Sequence, residues 1–112
     1  MHKLYEGKSK IVYEGVDPGT CVIEYKDTAT AGNGAKKEDL PGKGKLNAAI
    51  SNIIFKYLMK NGVKTHFLQE LDDTAILVRH AEIVPVEVIV RNVAAGSFSK
   101  KYGVAEGTPL KN

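Results

Sequence analysis

The sequence predicts an α+β fold, an antiparallel sheet with one main helix packed on it. Three patterns predict it. Short β-prone runs lie in both halves of the chain. One stripe of apolar residues at three- and four-residue spacing lies between them. Turn residues punctuate the runs.

The first strands are Ser9–Glu14 and Thr20–Tyr25, joined by Gly15-Val16-Asp17-Pro18-Gly19. Gly, Pro and Asp there set a tight chain reversal, so the pair reads as a hairpin. Residues 26–45 change character. They hold four Gly and five Lys, and Leu40 is their one large apolar residue. Such a segment buries little surface, so it reads as a long mobile loop of the kind that carries function. Leu46, Ile50, Ile53, Ile54, Tyr57 and Leu58 then mark a helix whose stripe is expected to face the sheet. Asn61-Gly62 closes it. Three more β-prone runs follow: Thr65–Leu68, Thr74–Arg79 and Ile83–Val90, with Asp72-Asp73 turning between the first two. Phe98–Tyr102 reads as a short helix stopped by Gly103. The tail to Asn112 reads as the middle of a loop with no closing element.

Composition excludes several classes. The 112 residues carry a formal charge of +3, no Trp, three Phe and one Cys. That length is one domain's worth of chain. Enzymes that bind two large substrates and a nucleotide ordinarily need two lobes around a cleft. Ile83–Val90 is too short to span a bilayer and contains Glu87. The N-terminus has no secretory pattern. A lone Cys21 forms no internal disulfide and fits a reducing cytoplasm. The mild basic excess suits anionic small molecules and is too weak to argue for nucleic acid.

Three constellations carry candidate chemistry. In Glu6-Gly7-Lys8-Ser9-Lys10, the two lysines alternate along a strand and so share a face beside a glycine. That suits a polyphosphate, although the spacing is not a Walker A loop. The same residues also read as a lysine-decorated edge strand, which composition alone favours. Gly32-Asn33-Gly34, with Lys36 and Lys37, reads as a phosphate-cradling lid or as a plain surface loop. The third block runs from Ile83 to Ser97. Glu87 interrupts an apolar run, Arg91 ends it, and Gly96-Ser97 follows. Arg, a Ser hydroxyl and glycine-adjacent N–H groups suit a phosphate. The competing reading leaves Glu87 on an exposed face paired with a lysine. His2, His66 and His80 have no metal-ligand spacing, and no metal-binding set is identified.

These blocks resemble one family. Leu4-Tyr5-Glu6-Gly7-Lys8-Ser9-Lys10, Asp27–Ala35, Gly42-Lys43-Gly44, Thr65-His66-Phe67 and, most specifically, Val84-Pro85-Val86-Glu87-Val88-Ile89-Val90-Arg91 through Ala95-Gly96-Ser97 resemble the N-terminal portion of the SAICAR synthetase family. The resemblance implies an ATP-dependent ligase joining L-aspartate to the carboxylate of carboxyaminoimidazole ribonucleotide, through an acyl phosphate and with Mg²⁺ assisting, in purine biosynthesis. It implies a two-lobed ATP-grasp or kinase-like fold. Residues 1–82 would be the nucleotide-binding lobe, and 83–112 the interlobe strand and the start of the second lobe.

Carried over by position, Lys8 and Lys10 would neutralise ATP phosphates, and Arg79, Ala81 and Glu82 would border the adenine. Glu87 would lie at the cleft as a catalytic group. Arg91 and Ser97 would hold the ribonucleotide phosphate, with Gly32, Asn33 and Gly34 as a lid. The family's second signature, an Asp-x-Lys-Leu-Glu-Phe-Gly-type strand with acidic groups for Mg²⁺, has no match here. The resemblance therefore implies an N-terminal fragment, inactive alone, with most metal ligands in the portion it lacks. The expected partners are small molecules in the cytoplasm, with no nucleic acid and no membrane; whether the whole enzyme is a homo-oligomer is open. The alternative is a non-catalytic nucleotide- or phosphate-binding module. A small basic RNA-binding domain is a third reading, disfavoured because no aromatic platform is present.

Overall fold

The computed structural model describes residues 1–31 and 36–111. The chain forms two compact units, Met1–Glu82 and Ile83–Asn112.

The first unit is built on a five-stranded antiparallel sheet. Its strands are β1 (Lys3–Glu6), β2 (Lys10–Glu14), β3 (Thr20–Tyr25), β6 (Phe67–Glu70) and β7 (Ala75–Arg79), in the spatial order β1-β2-β3-β7-β6. The expected β2–β3 hairpin is present, with Val12 opposite Ile23 and Tyr13 opposite Val22. β1 is an addition to the expected set. Its four residues are all exposed, so it carries no burial pattern to read.

Residues 26–45 are not one loop. They contain a second, two-stranded sheet of β4 (Thr28–Ala31) and β5 (Lys36–Asp39), and then the first turn of the helix. The pairing runs from Thr28 opposite Asp39 to Ala31 opposite Lys36. Thr28 Oγ1 donates to Asp39 Oδ1 at 3.2 Å, and the Leu40 N–H donates to the Asp27 carbonyl at 2.9 Å. Backbone and polar side-chain bonds hold this hairpin, so counting apolar residues misses it.

The long helix α1 (Lys43–Lys60) lies between these strands and β6 in sequence. Its buried residues are Gly44, Ala48 and Asn52. The stripe expected to face the sheet points outward instead: Leu46 is 62% exposed, Ile53 69% and Tyr57 67%. Small residues make the contact because the backbones approach closely. A Cβ on Gly44 would stand 2.6 Å from the Tyr25 carbonyl oxygen. Helix α1 has no side-chain cap of its own and no acid in its first turn. Asp27 supplies one from the β3–β4 connection, where its Oδ1 accepts the Gly44 N–H at 2.8 Å. At the other end, Asn61 Nδ2 donates to the Tyr57 carbonyl at 2.8 Å.

The core lies between α1 and one face of the sheet. Cys21, Ile23 and Tyr25 alternate along β3 onto that face, where they meet Ala48, Phe67, Ile76 and Val78. Ile76 is fully buried. Phe55 stacks on Phe67 with centroids 5.5 Å apart. Burial pushes the Cys21 thiol pKa up and draws the His66 imidazole down.

The second unit departs most from expectation. Ile83–Val90 is not a strand: among the described residues it pairs with no other segment, and every one of its residues is exposed. Pro85 has no N–H to give a ladder, and the Val86 N–H turns back to the Val84 carbonyl at 2.7 Å. β-prone residues form a strand only where a neighbour accepts their backbone groups. The short helix α2 (Gly96–Tyr102) follows, closed by Gly103 at φ 63°. The tail then folds back. The Ala94 N–H donates to the Thr108 carbonyl and the Leu110 N–H to the Asn92 carbonyl, both at 2.8 Å. These bonds enclose Ala94, which is fully buried.

Two outcomes test this fold. Asp27→Ala removes the cap of α1 and lowers the unfolding free energy by about 1–2 kcal/mol, whereas Asp27→Asn keeps an accepting oxygen and loses less. A denaturant titration measures both, and an unchanged Asp27→Ala midpoint contradicts the capping role. The second outcome concerns acid. Glu6 accepts from Lys26 Nζ and from Lys3 Nζ, each at 2.8 Å. Those two bonds, Lys26 first, hold its carboxyl down to about 2 from an ordinary 4.5. A lowered folded value favours the folded chain above about pH 4.5, and that contribution is lost as the pH falls toward 2. Glu6→Gln therefore flattens the acid limb of stability against pH between those limits. The effect is small, because solvent screens an exposed pair.

Candidate functional site

The first candidate surface is the β1–β2 turn. The Gly7 N–H donates to the Lys10 carbonyl at 2.9 Å, so Lys8 and Ser9 sit at the tip of a tight reversal. Lys8 is thus in a bend and not in a strand, and strand alternation does not set its direction. Lys26 pins the turn from below. Its Nζ donates to Glu6 Oε2 at 2.8 Å and to the Gly7 carbonyl at 3.3 Å, and its N–H donates to the Ser9 carbonyl at 2.8 Å. Glu6 is therefore taken by Lys26 and Lys3. Lys8 is exposed and, among the described residues, has no ion-pair partner. Lys10 sits opposite Tyr25, with its ammonium 5.9 Å from the centre of that ring. This places Lys10 on the sheet face that bears α1.

Arg79 is elsewhere. It pairs with Thr20, at the end of β3 remote from Tyr25. That is roughly 17 Å away along the strand. Thr20 and Cys21 point to opposite faces, so Arg79 points away from α1 while Lys10 points toward it. The sheet does not bring these two side chains together. What the end of β7 offers is backbone. The His80 N–H is used by the Gly19 carbonyl. Ala81 and Glu82 are exposed and, among the described residues, make no main-chain hydrogen bond. Gly32, Asn33 and Gly34 lie outside the described residues.

The second candidate surface lies wholly within the second unit. It is a cleft of 780 Å³ lined by Glu87, Ile89, Arg91, Ser97, Phe98, Lys101, Tyr102, Leu110 and Lys111. It gathers the three residues singled out from the third sequence block, Glu87, Arg91 and Ser97. Glu87 is exposed and makes no ion pair among the described residues, so the lysine-paired reading does not hold. Arg91 is half-buried. Helix α2 turns Ser97, Phe98, Lys101 and Tyr102 to the cleft, and Phe98 packs on Tyr102 with centroids 4.9 Å apart.

The sequence predicts this short helix but does not assign Phe98, Lys101 and Tyr102 to the site. The signal was present: Ser97 and Lys101, and likewise Phe98 and Tyr102, are four residues apart and so share one helical face. The cleft can bind an anion at Arg91 and the Ser97 hydroxyl, against an aromatic wall. It does not fit a resident divalent cation. Glu87 is its one carboxylate, and among the described residues no group of three or more His, Cys, Asp or Glu is placed to hold a metal. No helix of the described residues is long and apolar enough to cross a membrane.

Comparison with known proteins gives one consistent result. The SAICAR synthetase family model matches residues 3–112. The phosphoribosylaminoimidazole-succinocarboxamide synthase of Aquifex aeolicus is 55% identical over 111 residues, which is 99% of this chain and 51% of that protein. The crystal structure of the same synthase from Ehrlichia chaffeensis superposes with a TM-score of 0.89 at 42% identity, covering 99% of this chain and 47% of that one. A SAICAR synthetase solved in complex with ADP gives a TM-score of 0.87 at 42% identity, over 96% of this chain and 46% of its own. The chain thus spans about half the length of the relatives it matches. With a family model that covers nearly all its residues, and with identities of 42–55% to these three proteins, the chain belongs to the SAICAR synthetase family.

Proposed function

We propose that this chain supplies nucleotide and ribonucleotide contacts to an ATP-dependent carbon–nitrogen ligase. The reaction joins L-aspartate to the carboxylate of carboxyaminoimidazole ribonucleotide, giving SAICAR in purine biosynthesis. The observation that carries this reading is the cleft that gathers Glu87, Arg91 and Ser97. Arg91 and the Ser97 hydroxyl suit an anion there, and Glu87 has no ion-pair partner among the described residues.

The chemistry assigns their work. A carboxylate is a poor acyl donor. One of its oxygens attacks the γ-phosphorus of ATP, ADP leaves, and an acyl phosphate forms. The aspartate amine then attacks the acyl carbon, and phosphate leaves. Catalysis of both steps is largely positioning and charge neutralisation.

In the first unit, residues 1–82, Lys8 meets the nucleotide phosphates at the Gly7 turn, with Lys10 beside it. The open backbone of Ala81 and Glu82 borders the adenine, and Arg79 acts through its position at the end of β7. The ADP carried by a related structure supports this use of the family fold. In the second unit, residues 83–112, Arg91 and Ser97 hold the 5′-phosphate of the ribonucleotide. Glu87 takes the proton of the attacking amine. Gly32, Asn33 and Gly34 contact the substrates. Mg²⁺, if bound with the nucleotide, would supply charge neutralisation at its phosphates, and the single carboxylate of the cleft would not hold it. The setting is the cytoplasm.

For the chain taken alone, we propose binding without turnover. The single carboxylate of the cleft supports that narrower reading of a nucleotide- and phosphate-binding module.

Amide shifts in a ¹⁵N-labelled chain test the assignment. ADP is expected to move Gly7 to Lys10 together with Ala81 and Glu82. Lys8→Ala is expected to weaken ADP roughly tenfold, the loss of one charge-assisted contact. Shifts confined to other residues, or an RNA oligonucleotide binding in preference to ADP, would overturn it. Turnover of ATP, aspartate and ribonucleotide by the chain alone would overturn the narrower reading.

A further inference from the structure

We infer that Lys101 is a second cationic ligand for the phosphate held in the cleft, an inference that rests on the proposal that Arg91 and Ser97 bind that phosphate. The charges of the cleft make the case. A phosphate monoester is close to a dianion at neutral pH. Arg91 offers one positive charge. Glu87 lines the same cleft and, among the described residues, has no ion-pair partner, so its negative charge offsets Arg91. Arg91 and Ser97 alone therefore leave the dianion facing a wall of about zero net charge. Lys101 and Lys111 line the cleft as well and bring the wall to a net positive charge that matches the ligand.

Of these two lysines, Lys101 is the one the fold positions. It lies one helical turn beyond Ser97 on α2, so its stem and the Ser97 hydroxyl rise from the same face. Its ammonium stands 5.5 Å from the centre of the Tyr102 ring, and Phe98 packs on that ring at 4.9 Å. A ring face attracts the ammonium and limits its rotamers while leaving N–H donors free for a ligand. Lys100 and Lys101 are both exposed, but only Lys101 lines the cleft. The sequence pair Lys100-Lys101 thus divides into one charge outside the cleft and one at its wall.

Ribose 5-phosphate and ribose serve as probes, with amide shifts of the cleft residues as the readout in the whole chain. Lys101→Met keeps the helix propensity and the stem over Tyr102 while removing the charge. It is expected to weaken ribose 5-phosphate roughly tenfold and leave ribose unchanged. Lys101→Arg is expected to restore binding, and Lys100→Met to bind as the parent chain does. Lys101→Met binding like the parent, while Arg91→Met loses affinity, overturns the role of Lys101 and leaves the phosphate cleft standing. Equal losses for Lys100→Met and Lys101→Met also overturn it, since they report bulk charge only. No cleft shift with ribose 5-phosphate in the parent chain removes the phosphate reading and this inference together.

Discussion

The Asp27 carboxylate decides how the main helix sits. It accepts the Gly44 N–H at 2.8 Å, and the carbonyl of the same residue accepts the Leu40 N–H at 2.9 Å. One residue therefore ties the start of α1 and the end of the β4–β5 hairpin to the last turn of β3. Gly42 at the N-cap has no side chain to do this, and the first turn holds no acid. The orphan N–H groups and positive dipole end of α1 are served from another segment. The bond also fixes a distance. With Gly44 held against the Tyr25 carbonyl, a Cβ there would meet it at 2.6 Å, so glycine is needed for contact and not for a left-handed turn. Ala48 then follows one turn on, 1% exposed, over the core around Ile76.

Close approach has a cost in surface. Gly44, Ala48 and Asn52 are the buried residues of α1 and Phe55 packs against the core, while most of its other large residues face out. Ile53, Ile54 and Tyr57 stay more than half exposed, as do Ile83, Val84, Val86 and Val88 in the second unit. An apolar stripe at helical spacing states that a helix has an apolar face. It does not state which neighbour covers that face. Here the polar and small positions Gly44, Ala48 and Asn52 give the better account of what packs on the sheet.

That distinction separates what was legible in the sequence from what was not. The β2–β3 hairpin, α1 with its Asn61-Gly62 end, and α2 with its Gly103 stop follow from local patterns, because turns, caps and periodicity are local physics. The β4–β5 hairpin was not legible, since polar cross-strand bonds hold it. Ile83–Val90 misled because β-propensity reports what a residue suits, whereas a ladder needs a partner. The same contrast applies to the candidate sites. Glu87, Arg91 and Ser97 lie close in the chain, and the cleft gathers them. Lys10 and Arg79 are separated by strand register and by face, which only the β2–β3–β7 pairing determines.

The two candidate anion sites handle their nearest carboxylate in opposite ways. At the β1–β2 turn, Glu6 is occupied by Lys3 and Lys26, so it does not compete for Lys8. The turn can therefore present the Lys8 ammonium without a competing carboxylate among the described residues. In the cleft, Glu87 has no ion-pair partner among the described residues and lines the same wall as Arg91. A free carboxylate is useful for moving a proton, yet it weakens the field that an anionic substrate meets. Keeping both functions in one cleft requires more cations than a plain phosphate site does. The second turn of α2 is where this sequence places one of them.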